Sequence, residues 1–140
     1  MTRAAVFVDT SAWLAALSVR EERHTTCATL YDELAAARTP LLTTSLVIAE
    51  MHGLLVRRRG AISGLTLIDL VYSDPSFEIV RADAELEARA VDGWLRRYPT
   101  LPLSLTDAVS FEAMRAHGVR AAFTLDRHFE KVGFRMIPAH

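Results

Sequence analysis

The sequence predicts an α/β protein, a three-layer α/β/α sandwich around a central, mainly parallel sheet. Two observations carry this. Short apolar runs alternate with longer segments whose apolar residues recur every three or four positions, as strands alternating with amphipathic helices do. The first run, Val6, Phe7 and Val8, lacks polar alternation, as a strand buried on both faces requires. At 140 residues, 51% of them hydrophobic, the chain reads as one domain over 1–140 with room for a substantial core.

Each element has its own warrant. The first strand stops at Asp9, and Thr10 and Ser11 offer side-chain oxygens to cap a helix over 12–17. Cys27, Leu30, Tyr31 and Leu34 mark an amphipathic helix ending near Arg38, with Pro40 beyond it. Residues 41–44 make a short buried strand. A helix over 45–56 then carries Glu50 inside a largely apolar segment, where a carboxylate is unfavourable unless it faces water, a cation or a metal. Arg57, Arg58, Arg59 and Gly60 close that helix as cations and glycine do, and the same arginines could form a phosphate-contacting patch. The helix over 62–72 is apolar over more than a core-facing stripe needs, so it is either deeply buried or its surplus face meets another chain, the second favoured in a domain with few places to bury a helix on all sides.

Asp74 and Pro75 turn the chain into a strand over 77–80. A charged helix over 82–97 follows, its acids Asp83, Glu85, Glu87 and Asp92 reading as a solvated face. Pro99 and Pro102 hold a loop that delivers Ser104 and Asp107, spaced as a capping pair, to a helix ending at His117 and Gly118. Residues 121–126 repeat the opening arrangement, an apolar strand ending on an aspartate, Asp126. Arg127, His128 and Phe129 follow in a turn, and 134–138 form a last edge strand limited by Pro138.

Composition narrows the function. The net charge of −1 gives no global attraction to nucleic acid, yet of 16 basic residues only Lys131 is lysine, and arginine is the better bidentate partner for phosphate. The single Cys27 forms no internal disulfide and suits a reducing compartment. Arg3 and the short apolar run after it are interrupted by Asp9 before a signal-peptide core forms, and no uncharged run approaches the roughly twenty residues that span a bilayer. A cytoplasmic protein without membrane association is expected.

The chemistry follows from topology. Right-handed crossovers bring the carboxyl ends of parallel strands to a common edge. Asp9 and Asp126 end strands there, Asp107 opens a helix, and Glu50 lies on a helix that starts there, so four carboxylates are expected to converge. Their repulsion would raise the pKa of at least one unless a divalent cation neutralised them. Hard oxygen ligands, without cysteine or a spaced histidine pair, favour Mg²⁺ or Mn²⁺ over Zn²⁺, and such a site suits phosphodiester hydrolysis. His52, two residues after Glu50 on a helix, is expected to face elsewhere. His128 could touch RNA or simply be exposed, and Arg127 is placed for a phosphate contact or an ion pair. A phosphoacceptor domain would need a strand-terminal lysine, whereas Lys131 lies beyond the last acid. An aspartyl phosphatase would need a second aspartate where Thr10 and Ser11 follow Asp9. A metal-free interaction module, its acids serving as caps and surface groups, fits the spacing as well.

Val8-Asp9-Thr10-Ser11, Thr44-Ser45 through Glu50, Leu105-Thr106-Asp107-Ala108 and Thr124-Leu125-Asp126-Arg127-His128-Phe129 resemble the successive acidic motifs of PIN-domain ribonucleases. In length, motif order and spacing the chain is similar, over essentially its whole extent, to the VapC-like toxins of bacterial toxin–antitoxin pairs. The resemblance implies a PIN-like, Rossmann-like fold and a metal-dependent endoribonuclease, either a toxin inhibiting translation or growth or a housekeeping RNA-processing nuclease. It implies that Asp9, Glu50, Asp107 and Asp126 are catalytic and hold Mg²⁺ or Mn²⁺. Thr10, Thr106 and Thr124 would support the site, and Arg127, Arg57 and Arg58 would be available to RNA. The family cleaves single-stranded or looped RNA to leave a 5′-phosphate. The implied partners are RNA, a cognate antitoxin and a second copy of the chain, the antitoxin being received at the helix over 62–72 and the helix before it.

Overall fold

The computed structural model describes residues 4–139, so Arg3 lies outside the described residues. β1 (Val6–Val8), β2 (Leu41–Thr44), β3 (Phe77–Val80), β4 (Ala121–Phe123) and β5 (Arg135–Ile137) form one sheet in the order β3-β2-β1-β4-β5. Every pairing is parallel. Helices flank it as α1 (Thr10–Leu17), α2 (His24–Ala36), α3 (Ser45–Arg59), α4 (Ala61–Ser73), α5 (Ala84–Ala90), α6 (Leu105–His117) and α7 (His128–Lys131). The expected three-layer α/β/α sandwich is therefore present, with a wholly parallel sheet.

The central strand is the one whose sequence demanded burial: Phe7 and Val8 are completely buried. From β1 the order runs outward through β2 and β3 on one side and through β4 and β5 on the other. The direction of winding therefore reverses between β1 and β4, where Val8 is in register with Phe123. In doubly wound sheets the crevice beyond the strand ends at this switch point is where ligands bind. Thr43 steadies the same tip by donating its hydroxyl to Val8 O at 2.9 Å.

Aromatic packing underlies this edge. Phe129 meets Phe111 edge-on at a centroid distance of 4.8 Å and lies 6.1 Å from Phe7, while Trp94 packs on Phe111 at 5.3 Å. Such pairs add about 0.5–1.5 kcal/mol each beyond their buried area. α3 and α4 approach closely at Gly64, where a Cβ would fall 2.6 Å from Val56 and 2.9 Å from His52. His52 accordingly packs against α4. On α4, Gly64, Leu67 and Val71 are buried, whereas Ile62, Leu65, Leu70 and Tyr72 are exposed, Ile62 at 83%. The surplus apolar face is thus uncovered in the isolated chain. No helix among the described residues is long and apolar enough to cross a membrane.

Four local expectations are corrected. Thr10 and Ser11 do not cap α1; Asp9 is its N-cap residue, without a side-chain capping bond, and Thr10 is already helical. The helix expected over 82–97 is α5, capped by Asp83 accepting from Leu86 N at 2.9 Å, followed by a π-helical turn at Val91–Leu95. That wider turn accompanies the burial of Trp94, which donates Nε1–H to Glu112 at 3.1 Å. β4 ends at Phe123, so Asp126 lies in the connection beyond it. His128 opens the short α7 instead of sitting in a plain turn.

Glu112 is a buried carboxylate that the sequence did not flag. It is 3% exposed and accepts from Trp94, from Arg115 at 2.9 and 2.7 Å, and from Arg89 at 3.3 Å, joining α5, the π turn and α6. The Arg115 hydrogen bonds hold its carboxyl below the ordinary 4.5 against the opposing effect of burial. A depressed carboxyl stabilises the fold above its unfolded pKa and ceases to do so as pH falls through its folded value. Glu112→Gln is expected to lose roughly 1.5–3 kcal/mol at pH 7, the range for hydrogen bonds to charged groups. In denaturant titrations the difference from wild type should shrink as pH drops below 4.5; a difference constant with pH would contradict the ionic account.

Candidate active site

The site grows from the tip of β1. Asp9 follows the last buried valine, continues the ladder by donating its N–H to Phe123 O at 3.0 Å, and is 6% exposed. Its Oδ2 accepts from the Thr124 hydroxyl at 2.7 Å and from Ser11 Oγ at 3.1 Å. Thr124, completely buried, also accepts the Asp126 N–H at 3.0 Å, while Ser11 Oγ accepts the Leu125 N–H at 2.9 Å. Two hydroxyls therefore fasten the connection after β4 to the first acid. This explains why the strand stops short of Asp126: the Thr124 side chain captures the backbone that would otherwise extend the ladder.

Asp107 arrives from a separate element. Ser104 Oγ accepts from Asp107 N and Asp107 Oδ2 accepts from Ser104 N, both at 3.0 Å, a complete capping box at the start of α6. Asp126 is held by its own turn, its Oδ1 accepting from His128 N at 2.9 Å and lying 3.2 Å from His128 Nδ1. Asp107, Asp126 and His128 each offer a ligand atom, and these atoms lie within 4.8 Å of one another.

The electrostatics record crowded negative charge. Burial pushes the Asp9 carboxyl up to about 6; the hydroxyls of Thr124 and Ser11 and the Thr10 N–H pull it down, and Asp107 repels it. Asp107 is raised by burial, against the Ser104 hydrogen bonds, and further by Asp126. Asp107 thus stands between the other two, repelling Asp9 and raised by Asp126, while Asp9, like Glu50, lies outside the clustered ligand atoms. Beside Asp9 the Thr10 hydroxyl is buried without a hydrogen-bond partner. Mutually repelling carboxylates with an orphaned hydroxyl next in the chain are a donor set that fits a hard divalent cation.

The other predicted residues are placed differently. Glu50 is exposed on α3, which explains how an apolar segment tolerates it, and it stands outside the group of clustered ligand atoms. Thr106 lies in the first turn of α6, its carbonyl accepting from Ser110 at 2.8 Å. Arg127 is exposed at the N-cap position of α7, beside Asp126. Arg57 and Arg58 sit at the far end of α3, roughly 20 Å along its axis from the carboxyl edge at 1.5 Å per residue. Arg58 pairs there with Glu21, and Arg59 donates to Ser18 at 3.1 Å. His128 is the residue that sequence reasoning underrated; the signal was its place two residues after an aspartate in a turn, where both side chains can meet.

Comparison with known proteins finds a family and solved relatives. Residues 6–135 match the PIN domain family. A 23S rRNA-specific endonuclease, VapC20 of Mycobacterium tuberculosis, is 34% identical over 133 residues, 92% of this chain and 95% of the relative. The crystal structure of Mycobacterium tuberculosis VapC20, described as a sarcin-ricin loop cleaving toxin, aligns with a TM-score of 0.79 at 31% identity over 92% of this chain and 95% of that one. VapBC2 from Rickettsia felis, bound to promoter DNA, aligns at 0.68 with 14% identity over 94% and 96%, a likeness of fold alone.

A buried carboxyl raised above its unfolded value destabilises the folded state increasingly as pH rises from the unfolded to the folded pKa. Between 3.8 and about 6 for Asp9 this amounts to about 3 kcal/mol at 1.36 kcal/mol per unit. In chelator, Asp9→Asn should therefore match the wild type in stability near pH 4 and exceed it above pH 6, as read by thermal melts. A variant less stable than wild type at pH 7.5 would make Asp9 a structural group instead.

Proposed function

The chain belongs to the PIN-domain family, and on that premise we propose that it is a metal-dependent endoribonuclease, the toxin of a toxin–antitoxin pair. The observation that carries the reading is the cluster of Asp107 and Asp126 ligand atoms beyond the switch between β1 and β4, with Asp107 also repelling the buried Asp9 at the tip of β1. The chain is read as one catalytic domain over 1–140 acting in the cytoplasm on RNA. Its similarity to a 23S rRNA-specific endonuclease makes 23S rRNA the first substrate to test.

Asp9, Asp107 and Asp126 would hold Mg²⁺ or Mn²⁺, which when bound lowers the pKa of a coordinated water and stabilises charge on the phosphoryl oxygens. The residues of the chain supply position. Thr124 and Ser11 fix the rotamer of Asp9, so the first carboxylate needs no reorganisation when substrate arrives. The capping box aims Asp107, and the same helix start offers backbone amides to a phosphate. Thr10 and Thr106 flank the two acids as supporting hydroxyls. Glu50, exposed on the helix that starts at this edge, is the fourth acid of the reading and would add its carboxylate to the metal or to its waters. Arg127 offers a guanidinium to the RNA backbone beside Asp126. The distance of Arg57 and Arg58 from the acids leaves them to contact more remote phosphates.

The VapBC assemblies that share the fold support an antitoxin as partner. The uncovered apolar side chains of α4, with Leu17 at the end of α1 and Val19 just beyond it, form the surface assigned to the antitoxin and to a second copy of the chain.

The test is incubation of the purified chain with ribosomes or 23S rRNA in Mn²⁺, Mg²⁺ or chelator, with mapping of cut ends. Cleavage leaving 5′-phosphates is expected with either ion and none in chelator. Asp9→Asn and Asp107→Asn should lose roughly 10²–10⁴ in rate, as when activation of the attacking water is removed, and Glu50→Gln about 10–100-fold. Cleavage that persists in chelator would contradict the metal-dependent reading.

A further inference from the structure

Among the carboxylates of the site stands one imidazole, that of His128, paired with Asp126. Ligands of one divalent ion lie at most about 4–5 Å apart. The ligand atoms of Asp107, Asp126 and His128 satisfy that limit, all lying within 4.8 Å. His128 is also held in place. Its N–H donates to Asp126 Oδ1 at 2.9 Å and its Nδ1 lies 3.2 Å from the same oxygen, with the ring 22% exposed. The next residue, Phe129, is completely buried against Phe7 and Phe111, which anchors the turn from beneath. Building that turn requires only the backbone N–H of residue 128, which every residue but proline supplies, so the turn does not explain the imidazole.

We infer that His128 contributes a nitrogen ligand to the metal centre proposed above and thereby shifts its preference from Mg²⁺ toward Mn²⁺. The inference rests on the metal-dependent reading of this edge and adds to it the identity of the ion. Imidazole suits first-row transition ions, whereas Mg²⁺ takes one or two carboxylates, keeps its waters and gains little from nitrogen. Removal of the ring should then weaken one ion and spare the other. A carboxylate, by contrast, serves both.

The experiment measures Mn²⁺ and Mg²⁺ affinity of the full chain by calorimetry, with wild type, His128→Ala, His128→Asn and Asp107→Asn. Thermal melts of the metal-free proteins check that each variant is folded. Both His128 variants should lose about tenfold or more in Mn²⁺ affinity, the scale of ligand-shell substitutions, and change by no more than about threefold for Mg²⁺. Asp107→Asn should weaken both ions. Pulsed electron paramagnetic resonance of the Mn²⁺-loaded wild type should show coupling to a ¹⁴N nucleus that is absent from the His128 variants, and the wild-type spectrum alone decides the matter if the variants fail to fold. Absence of the nitrogen coupling, or equal losses for the two ions, overturns the role of His128 while leaving the metal centre intact. Failure of the wild type to bind either ion overturns both.

Discussion

The structure depends on keeping a carboxylate at the dry tip of its buried central strand. Asp9 follows two completely buried residues of β1 and is itself 6% exposed, a position at which ionisation is unfavourable. Two hydroxyls, from Ser11 on α1 and Thr124 after β4, are the groups whose side chains hold it. Hydroxyls orient a carboxylate without neutralising it, so the negative charge remains available. Asp107 and Asp126 are brought up against the same edge by a capping box and by a turn that Thr124 secures. What results is a concentration of negative charge that the fold pins in place.

Glu112 shows the alternative treatment of a buried acid. It is as well buried as Asp9, yet two guanidinium groups and an indole N–H satisfy it, and its carboxyl is held low where that of Asp9 is pushed up to about 6. One acid has its counter-charge built in and serves to join α5, the π turn and α6. The other is deprived of one. The shifts have different leading causes, burial for Asp9 and the Arg115 hydrogen bonds for Glu112, and they separate a carboxylate whose counter-charge is built in from one that lacks it. The aromatic packing of Trp94, Phe111, Phe129 and Phe7 connects the two regions, so the Glu112 junction also supports the turn that carries Asp126 and His128.

Much of this was legible in the sequence because it is encoded locally. Val6 to Val8 specified a doubly buried strand, Ser104 and Asp107 specified a capping box, and the surplus apolar residues of 62–72 specified the uncovered face of α4. What was misread depends on partners distant in the chain. Thr10 and Ser11 have capping chemistry, but Ser11 is recruited by Asp9 and by Leu125, 114 residues away. The extent of β4 is set by a side chain capturing its own backbone, which hydropathy does not record. The π turn and the Glu112 junction arise from Trp94 packing across to α6, and the exposure of Glu50 depends on which face of α3 meets the body of the protein. The separation of Arg57 and Arg58 from the acids follows from the length of α3, at whose last turn they stand.

The central claim is that acids from three separate parts of the chain form one cation site beyond the tips of β1 and β4. Anomalous diffraction from crystals grown with Mn²⁺ tests it most directly. The account predicts a peak roughly 2.2 Å from carboxylate oxygens of Asp107 and Asp126, with Asp9 bound directly or through one water. A Mn²⁺ peak elsewhere on the molecule, with none at this edge, would contradict it.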